Sequence, residues 1–182
     1  MKKVLVILAP GFEEIETVTV VDILRRAGAR VTLAGTEDGT LRGSRGINLV
    51  PDSRLNDVDV DNFDMVILPG GQPGTSNLQK DERVRAILLK MNQDDKKIAA
   101  ICAAPVVLQS AGLLESKTFT SHPSVKDELK DVPYSENRVV VDGNIITSRS
   151  PGTAMEFAMK LVEILFDTAR METVNKGVMA KL

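Results

Sequence analysis

Short, nearly unbroken apolar runs alternate along this chain with longer stretches whose apolar positions recur at helical spacing. Val4 to Ala9 is the first such run, and its length and composition predict a buried strand. From about Glu13 to Ala27 the apolar residues Ile15, Val18, Val21 and Leu24 fall on one helical face. Gly28 follows as a left-handed cap, and Val31 to Ala34 supplies a second strand, so the chain opens as a β-α-β unit. The stretch from Thr36 to Asn62 is polar and glycine-containing, which predicts irregular structure or an accessory hairpin with a small strand at Ile47 to Val50.

The alternation then resumes. Met65 to Leu68 is a compact strand ending at Pro69-Gly70-Gly71, and Val84, Ile87, Leu88 and Met91 mark an amphipathic helix. Lys97 to Ile101 gives the next core strand, Cys102 follows directly, and Ala103 to Ala111 reads as a helix stopped by Gly112. Asp142-Gly143 between β-rich arms predicts a hairpin. Thr153 and Glu156 have capping-box spacing ahead of a helix carrying Phe157, Leu161, Ile164 and Leu165, and a short terminal helix is expected after about Arg170. Strands alternating with helices predict an α/β three-layer sandwich around a mostly parallel sheet.

Bulk properties narrow the function classes. At 182 residues the default is one domain, spanning 1–182, with one substantial core. A formal charge of -2, with basic residues dispersed, leaves no electrostatic footprint for a nucleic-acid backbone. The apolar run behind Lys2-Lys3 is too short for a signal peptide or a membrane span, which predicts a cytoplasmic protein. A single cysteine cannot form an intrachain disulfide, and one cysteine with one histidine gives no soft metal cluster. The phosphate-cradling patterns GxGxxG and GxxxxGK[ST] are missing from the expected turns, so no cofactor is expected.

Open parallel sheets carry their chemistry beyond the carboxyl ends of the strands. Three such ends are distinctive here: Pro10-Gly11 with Glu13, Glu14 and Glu16; Pro69-Gly70-Gly71; and Cys102-Ala103-Ala104. A side chain between a buried strand and a helix start is pushed out of the turn toward amides that favour a negative sulfur, so Cys102 reads as a reactive thiolate on a nucleophile elbow. Its other reading is a small buried hydrophobe. Gly70 and Gly71 offer unobstructed amides, and the Gly71 and Ala103 amides would form an oxyanion hole if they meet; a plain strand-to-loop turn explains the pair equally. Helix-start acids are usually solvated, but a Glu16 that reached the thiol would have to be protonated or share a proton. His122, in Thr120-Ser121-His122-Pro123 after a short strand, is a base for Cys102 or a loop residue. Arg26 and Arg45 are candidate anion contacts or ordinary surface charges.

The segments VLVILAPGFEEIETV, VILPGG, AAICAAP, TSHP, YSENRVV and ITSRSPGTAMEFA, in this order and spacing, resemble the ThiJ/PfpI superfamily, in the branch of the human parkinsonism-associated deglycase and its bacterial relatives. The resemblance covers essentially the whole chain. It implies a flavodoxin-like sandwich, a homodimer, Cys102 as the elbow cysteine, Glu16 as the acid bonded to it, Gly71 and Ala103 as pocket amides, His122 as the nearby histidine, and Arg26 and Arg45 as basic residues of the pocket and dimer region. It also implies cofactor-independent glyoxalase or deglycase chemistry on methylglyoxal, glyoxal or their early adducts, with a part in carbonyl and oxidative-stress protection. The alternative it carries is a redox-sensing or chaperone-like homodimer whose cysteine becomes a sulfinate. Ala103 stands where the peptidase branch has histidine, so protease activity is not carried over. Ala104 and Ser150 replace glycines of the human member, which bears on loop packing.

Overall fold

A computed structural model describes residues 1–129 and 132–180. The apolar run at the start forms β1 (Lys3–Leu8), which lies inside a seven-stranded sheet with β2 (Arg30–Gly35) and β5 (Ser53–Arg54) on one side. On its other side come β6 (Met65–Leu68), β7 (Lys97–Ile101), β9 (Ile145–Ser148) and, at the edge, β8 (Val139–Asp142). All neighbours are parallel except β8 and β9, the hairpin expected at Asp142-Gly143. The polar stretch after β2 supplies the accessory hairpin, β3 (Leu41–Arg42) against β4 (Asn48–Leu49), outside the main sheet.

Alternation along β1 sorts its side chains into two cores. Val4, Val6 and Leu8 join the cluster under α1 (Glu14–Arg26), α5 (Ala154–Leu165) and α6 (Thr168–Val178). Leu5 and Ile7 join the cluster under α3 (Glu82–Gln93) and the shorter α2 (Gly74–Lys80) and α4 (Pro105–Ser110). Both faces of the sheet are therefore covered, which is why its central strands read as unbroken apolar runs. The result is the α/β three-layer sandwich of flavodoxin-like strand order. Among the described residues no helix is long and apolar enough to cross a membrane.

Local departures from the sequence reading have identifiable causes. On α1, Ile15 and Val18 are 56% and 49% exposed, while Thr17, Val20, Ile23 and Leu24 are buried. Thr17 can be buried because its hydroxyl donates to the Glu13 carbonyl at 2.8 Å, so a polar residue takes a core position that apolar spacing assigned to its neighbours. The expected box at Thr153 and Glu156 is displaced by one between Ser150 and Thr153, which opens the 3-10 turn Pro151–Thr153; Glu156 pairs with Arg138 instead. No strand precedes His122, only an isolated bridge from Phe119 to Tyr134. The helix after Cys102 starts at Pro105, because Ala103 and Ala104 are used in the turn. The expected terminal helix is α6, and residues 181–182 lie outside the described ones.

Candidate active site

The carboxyl ends of β1, β6 and β7, neighbours in the sheet, bring together the segments singled out by sequence. Cys102 follows β7 with φ +65, a left-handed conformation unusual for a residue with a side chain. Both its backbone groups are tied: its N–H donates to the Ser148 carbonyl at 3.0 Å, and its carbonyl accepts from the His122 N–H at 2.8 Å. These bonds hold the turn in its strained form and aim the half-buried sulfur away from the sheet.

Glu13 and Glu16 occupy the start of α1 as a linked pair. Glu13 is the N-cap, its carboxylate accepting from the Glu16 N–H at 2.8 Å, so Glu16 sits in the first turn and not deeper in the helix. The Glu13 N–H donates to the Gly70 carbonyl at 2.9 Å, and the Gly70 N–H donates back to Glu16 Oε2 at 2.8 Å. This exchange fixes the carboxyl of Glu16, 1% exposed, against the end of β6. Its Oε1 is buried without a hydrogen-bond partner among the described residues, and the carboxyl as a whole interacts with the Cys102 thiol. A Cβ at Gly70 would lie 2.7 Å from Cys102 Cβ and 2.8 Å from Glu16 Oε2, so the absence of a side chain there is what lets acid and thiol meet. Gly71, at φ +92, turns its amide toward the sulfur, as does Ala103.

Electrostatics correct one expectation. Burial pushes the thiol of Cys102 up, and the charge of Glu16 and its hydrogen bond push it further; the Ala103 and Gly71 amides oppose this without overcoming it. Burial likewise raises Glu16, to about 7, against the Cys102 and Gly70 hydrogen bonds and with the Glu13 charge adding to the rise. A helix-start thiolate was expected, yet the amides acting on the sulfur are those of Ala103 and Gly71, outside α4, and burial and Glu16 outweigh them. The two groups instead compete for one proton. With the proton on Glu16, the opposing charge disappears and the carboxyl O–H becomes a donor, which is the state that favours a thiolate.

The remaining candidates are distributed differently. His122 is joined to the site through its backbone, but its ring Nδ1 accepts from the Ser124 N–H at 3.1 Å and lies 2.7 Å from Ser124 Oγ, capping a 3-10 turn. No hydrogen bond links that ring to the sulfur. It lines a cavity of about 240 Å³ with Arg138, Arg149 and Ser150, residues the sequence reading did not place in a pocket. Arg149 and Ser150 continue the chain from Ser148, the acceptor of the Cys102 amide, and only the tertiary path of β9 reveals that proximity. Arg45 is exposed, its N–H donating to Glu14 at 2.7 Å. Arg26 is not brought to this cluster: it pairs with Asp22 at 2.7 Å at the far end of α1, ten residues and about 15 Å from Glu16. Among the described residues no group of His, Cys, Asp and Glu is placed to hold a metal ion.

The chain as a whole is similar to proteins of known family. The model of the DJ-1/PfpI family matches residues 2–164. The chain belongs to that family. It is 44% identical over 181 residues to protein dj-1beta of Drosophila melanogaster, covering 98% of this chain and 97% of the relative. The crystal structure of that fly DJ-1beta superposes with a TM-score of 0.95, and oxidized DJ-1 of Toxoplasma gondii, 37% identical and covering 98% of both chains, with 0.94. A glutathione-independent glyoxalase of Caenorhabditis elegans is 38% identical over 90% of this DJ-1/PfpI chain and 89% of its own. A deglycase of Thermococcus kodakarensis is 34% identical over 90% and 99%.

Proposed function

We propose that this DJ-1/PfpI protein is a cofactor-independent enzyme of the glyoxalase or deglycase kind, acting on methylglyoxal, glyoxal or their early adducts through Cys102. The carrying observation is the buried Glu16 carboxyl against the Cys102 thiol, with the Gly71 and Ala103 amides turned to the same sulfur. Relatives named for glyoxalase and for deglycase activity support a cysteine-dependent, stress-related role.

In the proposed cycle the thiolate adds to the aldehyde carbon of methylglyoxal, and the new alkoxide takes the proton held by Glu16. The amides beside the sulfur stabilise the oxyanion as it forms. Glu16, now ionised, removes the proton from that carbon to give an enediolate and returns it to the adjacent carbon, while the hydroxyl proton passes from the first oxygen to the former ketone oxygen, so the first carbon is oxidised to the thioester as the second is reduced to the alcohol. The resulting thioester is hydrolysed by water, releasing lactate and restoring the thiol. A carboxyl titrating at about 7 suits both donation and acceptance near neutrality. His122 would line the pocket rather than carry the proton.

Exposed Ile15 and Val18 on α1, with Ile47 and Val50 around β4, support a homodimer through this face. Val18→Glu should then shift the mass in sedimentation equilibrium from dimer to monomer; an unchanged mass places any dimer elsewhere.

The primary test is metal-free conversion of methylglyoxal to lactate by purified protein, with Cys102→Ser as control. The variant should lose turnover while keeping its circular dichroism spectrum; equal activity in both would sink the mechanism. A second reading, favoured by the oxidized Toxoplasma relative, makes Cys102 a redox sensor. It predicts peroxide-dependent sulfinate formation on the thiol with no lactate produced.

A further inference from the structure

Two hydrogen bonds hold Cys102 in its left-handed backbone, and one of them leads to Ser148. Ser148 closes β9, in register with Ile101 on one side and Val139 on the other. Its carbonyl accepts the Cys102 N–H at 3.0 Å. Its hydroxyl, on a residue with no exposed surface, lies 2.7 Å from the Arg138 carbonyl and 2.7 Å from Thr153 Oγ1. One small residue thus joins the elbow to the start of α5.

Thr153 stands at the N-cap of α5, where a threonine hydroxyl ordinarily accepts from the first amides of its own helix. Here it makes no such bond. Its Oγ1, on a residue 3% exposed, turns back along the chain and accepts from the Arg149 N–H at 3.2 Å and the Ser150 N–H at 3.1 Å. A hydroxyl has one hydrogen to give and two lone pairs to receive with, and that count orders the cluster. The Ser150 carbonyl, 3.0 Å from Thr153 Oγ1, already accepts the Thr153 N–H at 2.9 Å, and the Ser148 hydroxyl is the donor to the Arg138 carbonyl. The Thr153 hydrogen therefore goes to Ser148 Oγ, the Ser148 hydrogen goes to the Arg138 carbonyl, and both Thr153 lone pairs are filled by amides. The side chain serves the turn that leaves β9, not the helix it precedes.

We infer that Thr153 is a positioning residue for Cys102: acting through Ser148, its hydroxyl fixes the carbonyl that holds the elbow, and so keeps the sulfur against Glu16 and the Gly71 and Ala103 amides. A left-handed residue with a side chain persists only while its surroundings over-determine it. Freed at Ser148, the Cys102 backbone would relax and swing the sulfur off the carboxyl. The fit there is close, since even a methyl group at Gly70 would collide with both partners. This role rests on the reading of Cys102 as the reacting group, and not on which carbonyl it attacks.

The test follows alkylation of Cys102 by iodoacetamide from about pH 5 to about pH 10, which reads the thiol whether or not methylglyoxal is the substrate. In wild type the profile should carry an inflection from Glu16 near about 7 besides that of the thiol. Thr153→Val removes the hydroxyl and keeps the outline of the side chain. It should abolish the inflection near 7, leaving the single titration of a thiol apart from the carboxyl, and should lower kcat for methylglyoxal about tenfold with KM little changed. Thr153→Ser should restore both, and Ser148→Ala should reproduce the Thr153→Val profile. A wild-type profile without the inflection, a Thr153→Val chain with a lower urea midpoint but the wild-type profile, or failure of Thr153→Ser to rescue would each overturn the role. Wild type inactive on methylglyoxal, with a profile that still depends on Thr153, would remove the proposed substrate and uphold the positioning. Deuterium exchange of the wild-type chain decides even if a variant misfolds: the Cys102, Arg149 and Ser150 amides should exchange within about tenfold of one another, and a Cys102 amide about a hundredfold apart from the other two would break the coupling.

Discussion

Glu14 and Glu16 stand two positions apart on the first turn of α1, both almost wholly buried, and their carboxyls are pulled in opposite directions. Burial pushes each upward. Glu14 nevertheless ends below the ordinary value because it accepts from the Arg45 N–H at 2.7 Å, the Ile47 N–H at 3.2 Å and Ser44 Oγ at 3.2 Å. Glu16 has one backbone donor, the thiol, and the charge of Glu13 nearby, and it rises to about 7. The difference teaches that burial alone does not decide how an acid behaves; the count of donors around it does. Glu14 is thereby a tether that holds the 43–47 loop to the helix start, and Glu16 is a group able to exchange a proton.

The sharpest way to break this comparison is to neutralise the acid proposed to exchange its proton. Glu16→Gln should lower methylglyoxal turnover by about a hundredfold, the smaller end of what a positioned acid–base group contributes. At pH 8 the same variant should alkylate at Cys102 faster than wild type, because the charge that opposes the thiolate is gone. Slower alkylation together with full turnover would reverse the roles assigned here.

Stability gives the next largest effect. Glu16 titrates at about 7 in the folded chain and near 4.5 unfolded, so between those values the folded state binds more protons. Its contribution is therefore fully present below about 4.5 and is lost as pH rises to about 7, a change of about 3 kcal/mol. Glu14 has the opposite sign: its contribution is present above the unfolded value and is lost as pH falls through its lowered folded value. Urea unfolding of wild type and Glu16→Gln at pH 5 and 8 should show the variant gaining relative stability at the higher pH; parallel curves would remove Glu16 from the proton-sharing pair.

A smaller effect is expected at the tether. Glu14→Gln keeps an acceptor but loses the charge, and should destabilise the fold by about 1–2 kcal/mol at pH 7, measured by urea midpoint, without altering the alkylation rate of Cys102. A marked change in that rate would mean the 43–47 loop reaches the thiol and the two acids are not separable.

Much of this was legible without coordinates. Strand and helix periodicity placed β1, β6, β7, α3 and the β8–β9 hairpin, because central strands covered on both faces must be apolar throughout. The motifs around Cys102, Glu16 and Gly70-Gly71 named segments that the fold brings together. The N-cap at Glu13 was not read from the sequence, since its acids look like any solvated helix start and glutamate is not among the preferred capping residues. Arg149 and Ser150 gave no local signal, since their nearness to the elbow comes from β9 pairing with β7.

The sequence by itself determined which residue types stand at the carboxyl ends of the strands, and hence that one cysteine, one particular acid and two glycines were available for chemistry. Tertiary structure alone decided their electrical states. It pressed Glu16 against Cys102 through the side-chain-free position at Gly70, gave Glu14 the donors it denied Glu16, and sent Arg26 to the far end of its helix. The physical reason is that a residue's spacing along the chain follows from local geometry, whereas its proton affinity depends on the dielectric, donors and charges that only the packed chain assembles.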